Sequence, residues 1–269
     1  MINRTTGQFY GQTSALIQVE GLTLTDTEYT HDFVDWHYHQ NAYFTFILEG
    51  GVLEGNKQHT YHCSAGSLLF HHWQEAHYNK KPPGFTRGFH LELEPQWLTR
   101  FDLDLNRVQG SLNLADPQLK VLFYQLFMES KVTDITRPLA IQSVLIEVVS
   151  RLVRDGQATD RNRPAWVNQL RDVLQDTPTQ NWTLPALAQT VGIHPVHLSR
   201  SFEQYFHCSL SQYIRTIRIQ HALALMPQKH TSLTDIALAC GFADQSHFIR
   251  CFKALCGDKP LAYRRHLLR

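Results

Sequence analysis

Cysteine is scarce and poorly placed for cross-linking. Five residues, at 63, 208, 240, 251 and 256, form an odd, scattered set with no CxxC pair. That excludes a disulfide framework and favours a reducing compartment. No apolar run approaches the ~20 residues of a membrane helix, so a membrane-spanning protein is excluded. The first residues, MINRTTGQFYGQTSALIQVEG, lack a basic region leading into an apolar stretch. No secretory signal is therefore expected, and the cytoplasm is the expected location. An excess of one charge sign is missing too: 25 Lys+Arg stand against 24 Asp+Glu. No GxSxG, P-loop, HExxH or dinucleotide fingerprint is present. Neither catalysis nor a cofactor is expected.

What is present is ordinary globular composition, 43% hydrophobic and 18% charged over 269 residues. That length suits roughly two domains, each able to bury its own core. The near-neutral total hides a division. Residues 1–160 hold 12 basic and 18 acidic side chains, and residues 161–269 hold 13 and 6, so −6 faces +7. Such asymmetry points to a polyanionic partner for the second half.

The pattern changes with the charge. Up to about residue 95, short aromatic and β-branched runs are separated by turn signals: 43–50, a hairpin over 52–63, 66–73 and 87–94. They predict a barrel or sandwich. From 116 the period is helical, with one helix opening at Asp116-Pro117 and another over 138–154. Their stripes, among them Leu122, Leu126, Ile141, Leu145 and Val149, suit either packing within the chain or pairing of two chains. The stretch 155–164 has no large apolar residue and ends at a proline, which makes it the predicted linker.

The strongest signal is an internal repeat within 184–264. Ala188 and Gly192 match Ala237 and Gly241, and His197-Leu-Ser-Arg-Ser-Phe202 matches His247-Phe-Ile-Arg-Cys-Phe252. Ala lets two helices approach, and Gly supplies the positive φ of a sharp turn between them. The second helix of each copy starts after a cap, His194-Pro195 or Asp244, and packs inward through Leu198 and Phe202 or Phe248 and Phe252. Its other face presents Val196, Ser199 and Arg200 in one copy, and Gln245, Ser246, His247, Ile249 and Arg250 in the other. Arg and Gln are suited to guanine and adenine edges in the major groove. Arg215, Arg218, Lys253, Lys259, Arg264 and Arg265 are the candidate phosphate contacts. A helical scaffold that binds another protein is the alternative.

Over 165–269, and most specifically in IALACGFADQSHFIRCFK with the later Pro260, Tyr263 and Arg264, the chain resembles the DNA-binding domain of the AraC/XylS family of transcriptional regulators. The resemblance implies two helix-turn-helix units entering successive major grooves of double-stranded DNA. His207 stands where the family usually has Gly, whereas Gly257 keeps it.

In the acidic half, nine of the 16 histidines lie between positions 31 and 90. His37-Tyr38-His39 followed by His77 resembles a cupin barrel, the usual partner of this DNA-binding domain. On a strand, i and i+2 share a side, so His37 and His39 could converge on a metal with His77. Metal-binding cupins carry a Glu four or five residues after the second His, however, and Tyr43 and Phe44 stand there. The expectation is therefore no metal, but an effector pocket lined by Trp36, His37, Tyr38, His39, Tyr43, Phe46, Trp73 and His77. Cys63 is expected to be a buried structural thiol.

The expected class is α+β and multidomain: a cupin-like effector barrel (1–112), a helical dimerisation segment (113–154), a linker (155–164) and an all-α domain with two helix-turn-helix units (165–269). The expected partners are duplex DNA, a small-molecule effector and a second copy of the chain, with RNA polymerase a further candidate. A cupin-type metal protein or enzyme with a helical appendage is the runner-up.

Overall fold

The computed structural model describes residues 2–105, 108, 110–157 and 164–268, with the side chains of 2 and 155–157 outside the description. It divides into two compact units, one ending at Gln157 and one beginning at Ala158.

The first unit opens with β1 (Ile2–Arg4), β2 (Gln12–Val19), β3 (Leu22–Glu28), β4 (Phe33–His39), β5 (Ala42–Glu49) and β6 (Gly51–Asn56). It continues with β7 (Thr60–Ser64), β8 (Leu68–His71), β9 (His77–Lys80), β10 (Arg87–Leu93), the short helix α1 (Pro95–Arg100) and β11 (Ser111–Asn113). One sheet has the order β1-β4-β9-β6-β7, the other β11-β8-β5-β10-β3-β2. The predicted hairpin is β6–β7, its turn held by Asn56 Oδ1, which accepts from the backbone of Gln58 and His59 at 2.8 and 2.7 Å. β2 and β3 extend the second sheet beyond the strands that the sequence reading marked.

Strand alternation decides what faces the interior. β4 carries a register shift between Val34 and His37 against β9, so Val34, His37 and His39 are buried while Trp36 and Tyr38 are half-buried on the other side. On β5 the outer-face Phe44 and Phe46 meet Phe123 and Tyr124 of α2 (Pro117–Lys131), with ring centroids 4.9 and 4.6 Å apart. Asp116 caps α2, accepting from the Gln118 backbone at 2.9 Å. Against α2 lies α3 (Arg137–Gln157), and its Ile141, Leu145, Val148 and Val149 are fully buried, as are Phe123 and Leu126 of α2.

Of the two uses left open for the stripe, the structure shows the first: Leu122, Leu126, Ile141, Leu145 and Val149 pack inside their own unit. Among the described residues of this segment, the exposed large apolar side chains are Val132, Ile135 and Leu139. The first three residues of the predicted linker continue α3, and 158–163 lie outside the described residues.

The second unit comprises α4 (Ala165–Asp176), α5 (Leu184–Thr190), α6 (Pro195–Phe206), α7 (Leu210–Leu225), α8 (Leu233–Ala239), α9 (Gln245–Cys256) and α10 (Pro260–Leu267). Trp166, Val167, Leu170 and Leu174 of α4 share one core with Leu187 and Ala188 of α5, Leu198 and Phe202 of α6, and Tyr213 and Ile217 of α7. The later helices close over a run of rings, with centroids 5.3 Å apart for Phe242–Phe248, 5.6 Å for Phe248–Phe252 and 5.4 Å for Phe252–Tyr263. Ser232 and Asp235 form a reciprocal capping box at the start of α8.

Candidate functional sites: a double helix-turn-helix and a histidine-lined cavity

Both copies of the sequence repeat fold as two helices around a sharp turn. Ala188 and Ala237 are fully buried where the paired helices meet. Gly192 and Gly241 turn the chain at φ +70° and +80°. At Gly241 a Cβ would come within 2.9 Å of the Thr179 Cα, so a side chain is disfavoured there by space as well as by φ. The predicted caps are in place: His194 Nδ1 accepts from Val196 N at 3.3 Å, and Asp244 Oδ1 from His247 N at 2.6 Å. The second helices, α6 and α9, end alike in the left-handed region, at His207 (φ 54°) and Gly257 (φ 82°). His207 therefore takes up the conformation that Gly adopts at no steric cost.

The residues expected to read bases differ in exposure. Val196, Ser199, Arg200, Ser246 and Arg250 are exposed, while Gln245, His247 and Ile249 are half-buried. Gln245 Oε1 accepts from Thr234 Oγ1 at 3.2 Å, and His247 leans edge-on against Phe242. Of the phosphate candidates, Arg215, Lys253, Lys259 and Arg265 are exposed. The other two have work inside the fold. Arg218 Nε donates to the Pro178 carbonyl at 2.9 Å and its Nη2 to Gln180 O and Asn181 Oδ1, both at 3.2 Å. Arg264 Nε donates to Met226 O at 3.0 Å. Burial draws both guanidinium pKa values down. These two arginines tie loops to helices.

In the first unit, a partly open pocket of about 30 Å³ has a lining that includes Phe9, His37, His39, Tyr43, Thr45, Glu54, His77 and His90. His37 Nδ1 donates to Asp35 O at 2.9 Å and His77 Nδ1 to Glu75 O at 3.0 Å, because a carbonyl only accepts. Each ring therefore turns an Nε2 lone pair inward when neutral, and the Tyr43 hydroxyl donates to that of His77 at 2.9 Å. His71 Nε2 lies 3.0 Å from Glu54 Oε1, yet neither atom has a hydrogen bond among the described residues. Phe9 stacks on His90 with centroids 3.8 Å apart, and Gly7 N donates to Glu92 Oε2 at 2.6 Å.

Burial governs the ionisation of this interior. It pushes His37 down to about 4 and His39 to about 3, and takes His77 and His90 well below the ordinary imidazole value. It raises Glu92 to about 7, so the His39–Glu92 contact at 3.6 Å is not a strong ion pair. The histidines contribute stability that is present above pH 6.5 and lost as pH falls toward their folded values. Glu92 acts in the opposite sense, losing its contribution as pH rises from 4.5 through about 7. Four depressed histidines outnumber one raised carboxyl, so unfolding takes up more than one net proton near pH 6. Each such proton is worth about 1.4 kcal/mol per pH unit. In chelator, hydrogen-exchange protection of β5 and β10 amides is expected to drop steeply between pH 6.5 and 5; flat protection would contradict the neutral-histidine interior.

Two family models match these two units: "AraC-like ligand binding domain" over residues 21–149 and "Helix-turn-helix domain" over 187–266. The chain belongs to the AraC family. Among its relatives, the HTH-type transcriptional activator RhaR of Yersinia pestis is 25% identical over 256 residues, 87% of this chain and 85% of that protein. The HTH-type transcriptional regulator GlxA of Rhizobium meliloti is 36% identical over 113 residues, 41% of this chain and 35% of that protein. The bifunctional transcriptional activator/DNA repair enzyme AdaA of Bacillus subtilis is 29% identical over 100 residues, covering 37% and 47%. The matches to GlxA and AdaA thus span less than half the length of those proteins. Among solved structures, ToxT of Vibrio cholerae aligns over 93% of this chain and 100% of that one, at 13% identity and a TM-score of 0.40.

Within this AraC-family chain the pocket expected from sequence needs correcting. His37, His39, Tyr43 and His77 line the cavity. Trp36 and Tyr38 fall on the opposite face of β4, and Trp36 packs on Tyr78 with centroids 5.1 Å apart. Phe46 is fully buried against α2, and Trp73 is half exposed beside His72. The sequence reading missed Glu54, His71, His90 and Glu92. An acid between apolar neighbours on a strand, as in Val52-Leu53-Glu54, was the available signal for the first. Two donor groups converge: His37, His39 and His77, and Glu54, His71 and His77, each with ligand atoms within 4.8 Å of one another. Cys63 is buried, and burial pushes its thiol up to about 12, which leaves it inert.

Proposed function

We propose that the chain is a sequence-specific DNA-binding transcription regulator of the cytoplasm, not an enzyme. Its C-terminal unit reads an operator, and an effector bound in the N-terminal cavity alters that reading. The observation that carries this is the pair of matched helix-turn-helix units, each with a capped second helix that exposes a serine and an arginine, Ser199 and Arg200 or Ser246 and Arg250. One unit alone would fit many helical hairpins. Two in a domain with excess positive charge fit a duplex with two grooves in reach. Membership of a family whose relatives are named as transcriptional regulators supports the same reading. No helix of the described residues is long and apolar enough to cross a membrane.

A second copy would place four such units on repeated half-sites and raise affinity through linkage. Pairing would then fall to exposed residues such as Val132, Ile135 and Leu139, since the remaining stripe of α2 and α3 is buried. RNA polymerase is a further partner consistent with an activating role.

Fluorescence anisotropy of labelled duplexes selected from a random pool tests the reading. With Arg215, Lys253, Lys259 and Arg265 as four phosphate contacts, affinity should fall on the order of a hundredfold between 50 and 200 mM salt. Failure to bind any duplex would overturn it and leave the helical scaffold that binds another protein.

A further inference from the structure

The cavity is small for an organic effector. Pockets for such ligands run to about 300–1,000 Å³, whereas about 30 Å³ lies within these walls. What the cavity has nearby is donors. Glu54 of β6 and His77 of β9 line it, and the buried His71 of β8 joins them, with ligand atoms of the three within 4.8 Å of one another. Ligands about 2.0–2.2 Å from one metal sit roughly 2.8–3.1 Å apart at right angles and roughly 3.3–3.6 Å apart in a tetrahedron; His71 Nε2 and Glu54 Oε1, at 3.0 Å, fit the first. These two buried atoms have no hydrogen bond among the described residues. A shared cation satisfies both.

The outer contacts fit the same purpose. A metal-bound imidazole normally gives its other N–H to a carbonyl or carboxylate, which fixes ring and tautomer. His77 does so to Glu75 O at 3.0 Å, which leaves Nε2 for the metal once Tyr43, now donating to it at 2.9 Å, turns away; His71 Nδ1 meets Ser111 Oγ at 3.1 Å. Glu54 Oε2 accepts from Asn79 Nδ2 at 3.1 Å, which orients the carboxylate. His37, its Nδ1 likewise committed to a carbonyl, turns a further nitrogen toward His77.

We infer that the effector of the N-terminal unit is a divalent first-row transition-metal ion, held by Glu54, His71 and His77. Two histidines and one carboxylate favour such an ion over Mg²⁺ or Ca²⁺. The sequence appeared to lack the acidic ligand because it was sought just after His39. It arrives instead from β6, which the β6–β9 pairing sets beside His77. The role of effector rests on the regulatory reading above; the metal site does not.

The test is titration of the chelator-stripped full chain with Co²⁺, read by calorimetry and by the visible absorption of the bound ion. One Co²⁺ per chain is expected, with affinity lowered at least tenfold in Glu54→Gln and in His71→Ala and unchanged in His62→Ala, a residue exposed on β7. Circular dichroism checks folding; should His71→Ala not fold, the near-isosteric Glu54→Gln decides. No stoichiometric binding, or equal affinity in folded Glu54→Gln, overturns the site. Affinity for a selected duplex is then measured with and without Co²⁺. A change of at least fivefold supports the effector role, and no change makes the metal structural and overturns that role. DNA binding without Co²⁺ binding defeats this inference and leaves the regulatory reading standing. Stoichiometric Co²⁺ binding with no affinity for any duplex does the reverse.

Discussion

Asp26→Ala is expected to destabilise the N-terminal unit by about 3–5 kcal/mol, the usual cost of removing one partner from a buried ion pair. Asp26 lies on β3 and is 3% exposed. It accepts from Arg87 Nε and Nη2 at 2.7 and 2.6 Å, and from Lys131 Nζ at 2.6 Å. One carboxylate thus joins β3 to β10 and to the last turn of α2, the helix that covers the second sheet. Burial alone would raise its pKa, but the hydrogen bonds from Arg87 and Lys131 outweigh that and hold it below the ordinary value. Its contribution is therefore present above about pH 4 and lost as pH falls further. Without it, Lys131 and Arg87 lose the carboxylate they share, Arg87 keeping the attraction of Glu49; the Phe127 ring lies 4.7 Å from Lys131 Nζ and 5.5 Å from the Arg87 guanidinium carbon. Urea unfolding of the full chain, followed by exchange at β3 and β10 amides, measures the loss. A cost under about 1 kcal/mol, typical of exposed pairs, would show that solvent screens this network.

The second large effect belongs to the reading helices. Arg200 and Arg250 are the exposed arginines at equivalent places on α6 and α9. Replacing either by Ala should cost about 1–3 kcal/mol on a selected duplex if its guanidinium pairs with a guanine edge. The double variant should then lose roughly 10²–10⁴-fold if the two act independently. The loss must be confined to the base pair each arginine reads. Equal weakening on every sequence would reassign the residue to the phosphates. Arg218→Ala should behave differently: its guanidinium holds Pro178, Gln180 and Asn181, so stability of the C-terminal unit falls before any change in sequence preference.

These outcomes separate what the sequence could show from what only the fold brings together. The helix-turn-helix units were legible because their determinants are local: Ala and Gly four apart, a cap, and apolar residues at helical spacing. Local signals do not say which arginines are already committed, and so Arg218 and Arg264 passed as phosphate contacts. The barrel was legible as strands but not as a site. Alternation alone, with His37 and His39 on one side of β4, puts Trp36 and Tyr38 on the other, so the four could not share one pocket. Glu54 and His71 were missed because Glu54 reaches His77 through the β6–β9 pairing, and His71 meets it from the other sheet, ring centroids 4.9 Å apart. β3 reads Leu22-Thr23-Leu24-Thr25, an alternation with β-branched residues that itself signals a strand and was passed over. The stripe of α2 and α3 was open to two readings for a related reason: an apolar helix face looks the same whether its own chain or a second copy covers it.

The central claim, that two helix-turn-helix units read one duplex together, is tested most directly by hydroxyl-radical footprinting of the full chain on a selected site. The expected result for each bound chain is two protected segments on one face of the DNA, centred about 10–10.5 bp apart, one turn of the double helix. Gln245→Ala or Arg250→Ala should weaken one segment, and Ser199→Ala or Arg200→Ala the other. A single protected segment, or two that both fade with changes in α9 alone, would contradict the account.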